Sequence, residues 1–313
     1  FEGLTPTGSF KDFGMTVLVS IAKAVGIKFI ACSSTGDTSA ALGAYGAASG
    51  IKILVILPYG KVTPAQLVQA EIYGAIVVTL PGSFDDCMRV MRELVAMGVY
   101  PANSLHPARI EGHQATAFQI AHFYGWNMPN WISVPIGNGS DCSSVGKGMR
   151  LLKQLGFAPQ MSRILGCQSE AACPLAISWQ KNAVAWAASY HSMKVGETTA
   201  TAARIGNPVS APKVMREITA TNGAMTVALE RDLNRAVAVC GEDGMFVCPQ
   251  TGMALAGVRN AIRGGFIGKD ETVVVVSTAT GLKFTDSAAK NIRGKVIQLN
   301  TVSAAAVAKI LHL

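Results

Sequence analysis

The 313 residues predict an α/β protein of two lobes, each a mainly parallel sheet flanked by helices. Three observations carry this. Short apolar runs of strand length alternate with amphipathic or alanine-rich segments, and a second set of the same kind follows the first. Half of the residues are apolar and the mean hydropathy is +0.33, enough to bury a large core. Strand, helix, strand at this spacing implies right-handed crossovers, and hence parallel pairing with helices on both faces.

The first set opens with a helix from Lys11 through Val17, Leu18 and Val19 to Ala24. Strand "KFIACSS" (28–34) leads to the alanine-rich helix "TSAALGAYGAAS" (38–49), then to strand "KILVILP" (52–58). Helix "PAQLVQAEIYG" (64–74) begins with the residue that suits a first turn and ends at a glycine. Strand "AIVVTLP" (75–81) and helix "DDCMRVMRELVAMG" (85–98), with acids at its positive end, complete the unit. Residues 28–105 therefore read as a small lobe, with 1–27 and 106–313 forming a larger one. The second set has strands at 131–137, 162–169 and 271–280 and helices near 109–124, 142–155, 227–240 and 252–263. Residues 176–210, rich in Ala, Ser and Thr, predict short helices and loops.

Composition excludes several functions. No uninterrupted apolar run reaches the ~18 residues of a membrane span, which predicts a soluble protein with no membrane partner. Seven scattered cysteines with no C-x-x-C pair suit reduced thiols in a cytosol better than a disulfide or zinc framework. The net charge of +8 is dispersed, without the clustered stripe that nucleic acid needs, so small anionic ligands are expected instead. The histidines (106, 113, 122, 191, 312) have no metal-ligand spacing, and no metal is expected. The chain opens at "FEGLTPTG", without an initiator Met or a secretory pattern, and reads as part of something longer.

In such folds ligands sit outside the carboxyl ends of the strands, so the strand-to-helix turns carry the chemistry. In "GSFKDFGMT" (8–16) Lys11 occupies a helix N-terminus, where the backbone dipole disfavours a cation. An amine bonded covalently to a carbonyl cofactor would explain the position. The turns "SSTGDTSA" (33–40) and "IGNGSDCSS" (136–144) open helices and are potential anion sites, with Gly137 and Gly139 allowing close backbone approach. Their bland reading makes Asp37 and Asp141 ordinary N-caps. A lysine, a glycine-rich phosphate cradle and small polar residues together match pyridoxal phosphate.

The ordered motifs "TGSFKDFGMT", "STGDTSAALGAYGAASGI", "NSLHPARIEG", "IGNPVS", "GMFVCPQTG" and "VVVVSTATGLKF" resemble threonine synthases of the plant-like branch, among the fold-type II pyridoxal-phosphate enzymes, whose lobes are like those of the tryptophan synthase β-subunit. The resemblance implies that Lys11 holds pyridoxal 5'-phosphate covalently and, once freed by substrate, acts repeatedly as acid and base. Asp37 would face the ring's phenolic oxygen, Gly137, Asn138, Gly139 and Ser140 would surround the cofactor phosphate, and Thr278 would give its hydroxyl to the pyridine nitrogen. A neutral hydroxyl there makes the ring a weaker electron sink than a carboxylate would, disfavouring transamination.

The implied substrate is O-phosphohomoserine, its phosphate meeting Ser34, Thr35, Asn103, Ser104 and Arg109, with Asn138 nearby; the products are threonine and phosphate. Without the family, Arg109 reads as a solvated side chain of a turn. A cytoplasmic or plastid homodimer is implied too, and an S-adenosylmethionine response in plant relatives depends partly on a segment ahead of the lysine motif. Alternatives are a same-fold threonine or serine dehydratase, a cysteate synthase, or a non-catalytic relative that binds cofactor or phosphorylated ligand. Three positions depart from the family: Phe13 for Arg, Thr280 for His or Asn, and Asp141 for an amide in "GNGSD". A carboxylate facing a phosphate is costly, so Asp141 is expected to turn back and cap helix 142–155.

Overall fold

In a computed structural model of the chain, which describes residues 1–34, 36–59, 64–82, 84–104, 106–288, 294, 296–300 and 303–310, the strands form two four-stranded parallel sheets. Helix α1 (Lys11–Ala24) precedes β1 (Phe29–Ser33), α2 (Asp37–Ser49), β2 (Lys52–Pro58), α3 (Pro64–Ile72), β3 (Ile76–Leu80), α4 (Phe84–Ala96) and β4 (Tyr100–Pro101). The first sheet has the order β3-β2-β1-β4, with Phe29 opposite Lys52 and Ser33 opposite Ile56.

Helices α5 (Pro107–His113) and α6 (Ala115–Phe123) lead to the second sheet. That half contains β5 (Trp131–Pro135), α7 (Ser140–Gln154), β6 (Arg163–Ser169), α8 (Pro174–Lys181), α9 (Ala211–Ala220), β7 (Ala224–Ala228), α10 (Glu230–Glu242), α11 (Pro249–Arg263) and β8 (Val273–Val275), followed by α12 (Thr285–Ala288) and α13 (Ala304–Ile310). Its order is β7-β6-β5-β8.

Both faces of each sheet are covered, which is why the inner strands read as continuous apolar runs rather than alternating ones. Ile30, Cys32, Ile53 and Val55 pack against α1 and α2, while Ala31 and Ile56 meet Cys87 and Met91 of α4. In the second sheet Ile132, Val134 and Ile164 face α7 and α9, and Trp131, Leu165 and Ala224 face Val258 and Ala261 of α11. Met15, Leu18, Val19 and Ala22 of α1 lie in the first sheet's core. All seven cysteines are buried free thiols. Among the described residues no helix is long and apolar enough to cross a membrane.

Several boundaries differ from the expectation. The helix expected over 109–124 is divided at Gln114, whose N–H bonds back to Glu111 and whose side-chain amide donates to the same carbonyl. The strand expected over 271–280 ends at Val275, because the following residues leave the sheet to run antiparallel to the start of the chain. There Ser9 bridges Ala279, and Phe10 N–H donates to Thr278 O at 2.9 Å. The strands β4 and β7 and the helix α9 were not foreseen as elements, while α8 falls mostly within the stretch expected to hold short helices.

The start of α1 is held by two close approaches. A Cβ on Gly112 of α5 would lie 2.0 Å from the Phe13 carbonyl oxygen, and one on Gly14 would lie 2.3 Å from Nε2 of His113. Glycine at 112 lets α5 meet the backbone of α1, and glycine at 14 makes room for the His113 ring. Gly112→Ala should force the two helices apart and cost about 1–3 kcal/mol, the usual range for overpacking. Urea denaturation should show a lower midpoint at an unchanged slope, and an unchanged midpoint would mean that the crossing is loose.

Candidate active site

The carboxyl ends of both sheets open on one cavity of about 770 Å³, in the size range of cofactor and substrate sites. Its lining includes Lys11 and Asp37 and the turns after β1, β4, β5 and β8. Ser34, Asn103, Ser104, Arg109, Gly137, Asn138, Gly139, Ser140 and Thr278 all contribute. The sequence-predicted residues are thus brought together, apart from Thr35, which lies outside the described residues.

Lys11 is positioned by the loop before it. The Asp12 carboxylate accepts from Thr7 N–H at 2.8 Å and from Thr7 Oγ1 at 2.6 Å, while the antiparallel contact with 277–280 ties the loop to the exit of β8. Lys11 Nζ lies 3.5 Å from the centroid of the Phe10 ring. Burial lowers its pKa to about 8, helped by the Arg109 charge and opposed by Asp141, Asp37 and Glu2. A neutral amine is therefore accessible at mildly alkaline pH, as a nucleophile or proton acceptor requires.

Gly139, at φ 85°, ends the turn after β5, and α7 begins at Ser140 with no side-chain cap. The first N–H groups of the helix have no intrahelical partner and stand at its positive end, open to an anion from the cavity. The turn is pinned from behind: Cβ atoms on Gly137 and Gly139 would meet Ala202 O at 2.8 Å and Val214 Cγ2 at 2.3 Å.

Asp141 corrects the sequence reading. It does not cap α7; Gly139 occupies that position, and Asp141 sits in the first turn, 4% exposed, with neither oxygen hydrogen-bonded. Burial raises its pKa to about 7, opposed by Lys11. Glu2, bonded to Thr116 Oγ1, is raised to about 8 by burial and by Asp141. Asp37 is likewise no cap but the first residue of α2, in an ion pair with Lys283 (3.4 Å).

Arg109, which reads as solvated only when the family resemblance is set aside, is fully buried. Nη1 donates to Ala102 O at 2.9 Å, Nη2 reaches Thr38 Oγ1 at 3.5 Å, and Nε has no partner. Burial lowers its pKa to about 10, still far enough above neutrality to keep it charged. The Asn103 amide donates to Ser33 O at 2.9 Å and its oxygen accepts from Ser33 N–H at 3.3 Å, fixing the end of β4 to that of β1. His106 accepts the Ala108 N–H and caps α5.

Thr278 Oγ1 lies 3.5 Å from Cys248 Sγ, which is 3.2 Å from Thr251 Oγ1. Sequence reasoning missed Lys283 and Gln250, both in the cavity lining. Gln250 is buried with neither side-chain atom bonded. Each sits in a motif, "STATGLKF" or "GMFVCPQTG", so the signal was present without a reason to choose the residue.

The cavity, its amine, the uncapped helix N-terminus and the Thr278 hydroxyl in the lining fit a pyridine ring carrying an aldehyde and a phosphate. The fold and this donor set define a fold-type II cofactor enzyme. A family model described as pyridoxal-phosphate dependent enzyme matches residues 1–279, and the chain belongs to that family.

The chain is 38% identical over 307 residues to threonine synthase 2, chloroplastic, of Arabidopsis thaliana, covering 95% of this chain and 59% of that one. It is 38% identical over 289 residues to threonine synthase of Methanocaldococcus jannaschii, covering 92% and 70%. Among solved structures, threonine synthase from Escherichia coli has a TM-score of 0.74 at 19% identity over 94% of this chain and 69% of that one. Maize serine racemase has a TM-score of 0.75 at 17% identity, covering 100% and 87%. These two likenesses concern the fold.

A buried acid whose pKa is raised makes stability fall with pH. Asp141 holds its proton in the folded chain between its ordinary value of 3.8 and about 7, where the unfolded chain releases it. Stability from this group is present below 3.8 and is lost as pH rises toward 7. Asp141→Asn should therefore match the parent near pH 4 and exceed it above pH 7 by up to about 4 kcal/mol. Chemical denaturation of the cofactor-free proteins across that range checks this, and equal stability at pH 8 would mean that the carboxyl is solvated.

Proposed function

We propose that the protein is a threonine synthase, converting O-phospho-L-homoserine and water to L-threonine and phosphate. The observation that carries the reading is Arg109: a fully buried guanidinium in the cavity lining, with Nε unpartnered, close to Asn103 and Ser104. Such a group is costly unless an anion meets it. The Gly137–Ser140 turn offers a separate anion site, so the cavity has provision for two phosphates, one on the cofactor and one on the substrate. The names of the Arabidopsis and Methanocaldococcus relatives support the same reaction.

In this reading Lys11 holds the cofactor, Asp37 faces its phenolic oxygen, Gly137, Asn138, Gly139 and Ser140 hold its phosphate, and Thr278 donates to its ring nitrogen. Ser34, Thr35, Asn103, Ser104, Asn138 and Arg109 receive the substrate's phosphate. Bound pyridoxal phosphate makes the substrate's α- and β-protons removable by withdrawing electrons. Lys11 Nζ removes the α-proton, hands it on before removing a β-proton, and returns one proton to the γ-carbon and, once the hydroxyl is in place, one to the α-carbon; the lowered pKa of the amine suits both roles. Arg109 orients the γ-phosphate and stabilises its charge as it departs, and water then adds at the β-carbon.

The smaller lobe is 28–105 and the larger one 1–27 with 106–313, α1 serving as the joint because its apolar face lies in the first sheet's core. The reading carries with it a homodimer in the cytoplasm, or in the plastid for a plant-type source. The chain spans 59% of the Arabidopsis relative's length.

Arg109→Lys should keep the charge but lose the planar fork, lowering kcat/KM on O-phosphohomoserine by roughly tenfold or more. Phosphate release and threonine formation, read together, measure this, with the cofactor's visible absorbance unchanged. Deamination of threonine or serine by the parent protein, insensitive to Arg109, would instead establish a dehydratase. Lys11→Ala should abolish turnover; the lysine sharing the cavity, Lys283, must be replaced as well before any residual borohydride-reducible adduct is assigned.

A further inference from the structure

Lys283 is the second lysine of the cavity and is nearly as buried as the carboxylate it meets. Its side chain is 12% exposed and that of Asp37 10%, with Nζ 3.4 Å from Asp37 Oδ1. Its remaining donors go to Thr7 O at 2.8 Å and to Gln69 Oε1, and Gln69 Nε2 also donates to Thr7 O. One ammonium group thus joins the loop before Lys11, α2, α3 and the turn after β8. Two hydrogen bonds and one ion pair hold the amine, so its place is fixed mainly by protein partners.

The pair answers a difficulty in the assignment of Asp37. A carboxylate beside the phenolic oxygen of the bound ring sets two electron-rich oxygens against each other in a site shielded from water. Such an arrangement is unfavourable unless a cation lies against one of them. Lys11 cannot serve, because its amine is the one bonded to the cofactor. Arg109 is assigned above to the substrate's phosphate and is hydrogen-bonded to Ala102 O and Thr38, not to Asp37.

We propose that Lys283 is a positioning residue for the cofactor: its ammonium group offsets the charge of Asp37, so that this carboxylate can face the ring oxygen without repelling it. The proposal rests on the assignment of Asp37 given above. It makes Lys283 and Asp37 a unit in which losing either charge is worse than losing both. A latch between the chain segments would behave differently, because its contacts to Thr7 and Gln69 do not depend on the Asp37 charge.

Four proteins test it: the parent, Lys283→Met, Asp37→Asn and the double variant, each stripped of cofactor and titrated with pyridoxal 5'-phosphate. Lys283→Met should weaken binding by roughly tenfold or more, and the double variant should recover most of that loss. The pH midpoint of the bound cofactor's visible band gives a second readout. An uncompensated Asp37 in Lys283→Met favours the protonated form and moves the midpoint up. An uncompensated Lys283 in Asp37→Asn moves it down, and the double variant returns to the parent value.

Lys11, Arg109, Asp141 and Glu2 are common to all four proteins, so the differences belong to the pair. A double variant as weak as Lys283→Met, or single variants whose midpoints move together or not at all, would overturn the proposal. If Lys283→Met does not fold, the midpoint of Asp37→Asn decides alone, an unmoved or raised value being adverse. A parent that takes up no cofactor would refute the cofactor reading itself, a failure distinct from these.

Discussion

An amine held out of water at the positive end of a helix is the condition around which this site is built. Desolvation, the α1 dipole and the buried Arg109 charge all oppose a proton on Lys11, while Asp141, Asp37 and Glu2 favour one. The opposition prevails, because none of these acids makes a direct ion pair with the amine among the described contacts, and Asp37 is shared with Lys283. The result is a lysine that sheds its proton readily. A structural lysine at this point would be a liability; a nucleophile and proton carrier gains from the same environment.

That environment depends on backbone packing more than on the polar groups themselves. Gly14 and Gly112 let α1 and α5 touch at the very turn that carries Lys11, and Asp12 folds the preceding loop back through Thr7. The same stretch runs antiparallel to 277–280, which sets Lys11 beside Thr278 although the two are far apart in sequence. The amine and the hydroxyl proposed to act on the cofactor are therefore located by one strand-like contact outside either sheet. With both sheets parallel and their carboxyl ends turned to the same cavity, the turns after β1, β4, β5 and β8 can act on a single ligand.

The alternation of strands and helices was legible because parallel strands covered on both faces are apolar throughout, as in "KILVILP" and "WISVP". β7 escaped notice because "AMTVA" is short and largely unbranched, and the two residues of β4 carry no pattern at all. Site membership was legible from turns, whereas side-chain burial was not. Arg109 and Asp141 have the local sequence of a solvated arginine and an N-cap, and only the packing of α5 and α7 against other elements takes them from water. Lys283 was hidden for a related reason. Its partners Thr7, Asp37 and Gln69 come from three distant segments, so nothing near it in sequence announces an ion pair.

Charge balance explains why acids can line a cavity suited to phosphates. Two unit charges 4 Å apart interact by about 4 kcal/mol at an effective dielectric of 20, enough to expel an anion from an acidic pocket. Of the three carboxyl groups in the lining, Asp37, Asp141 and Asp286, the first two have their charge matched or removed before any ligand arrives. Burial holds the proton on Asp141 up to about pH 7 and on Glu2 up to about pH 8, and Lys283 lies against Asp37. What remains uncompensated is Arg109 together with the free N–H groups that open α7. The part of the cavity around Arg109 and the start of α7 therefore suits anions despite the carboxyl groups nearby. An amide at position 141 would achieve this at any pH; aspartate achieves it only while the carboxyl stays dry.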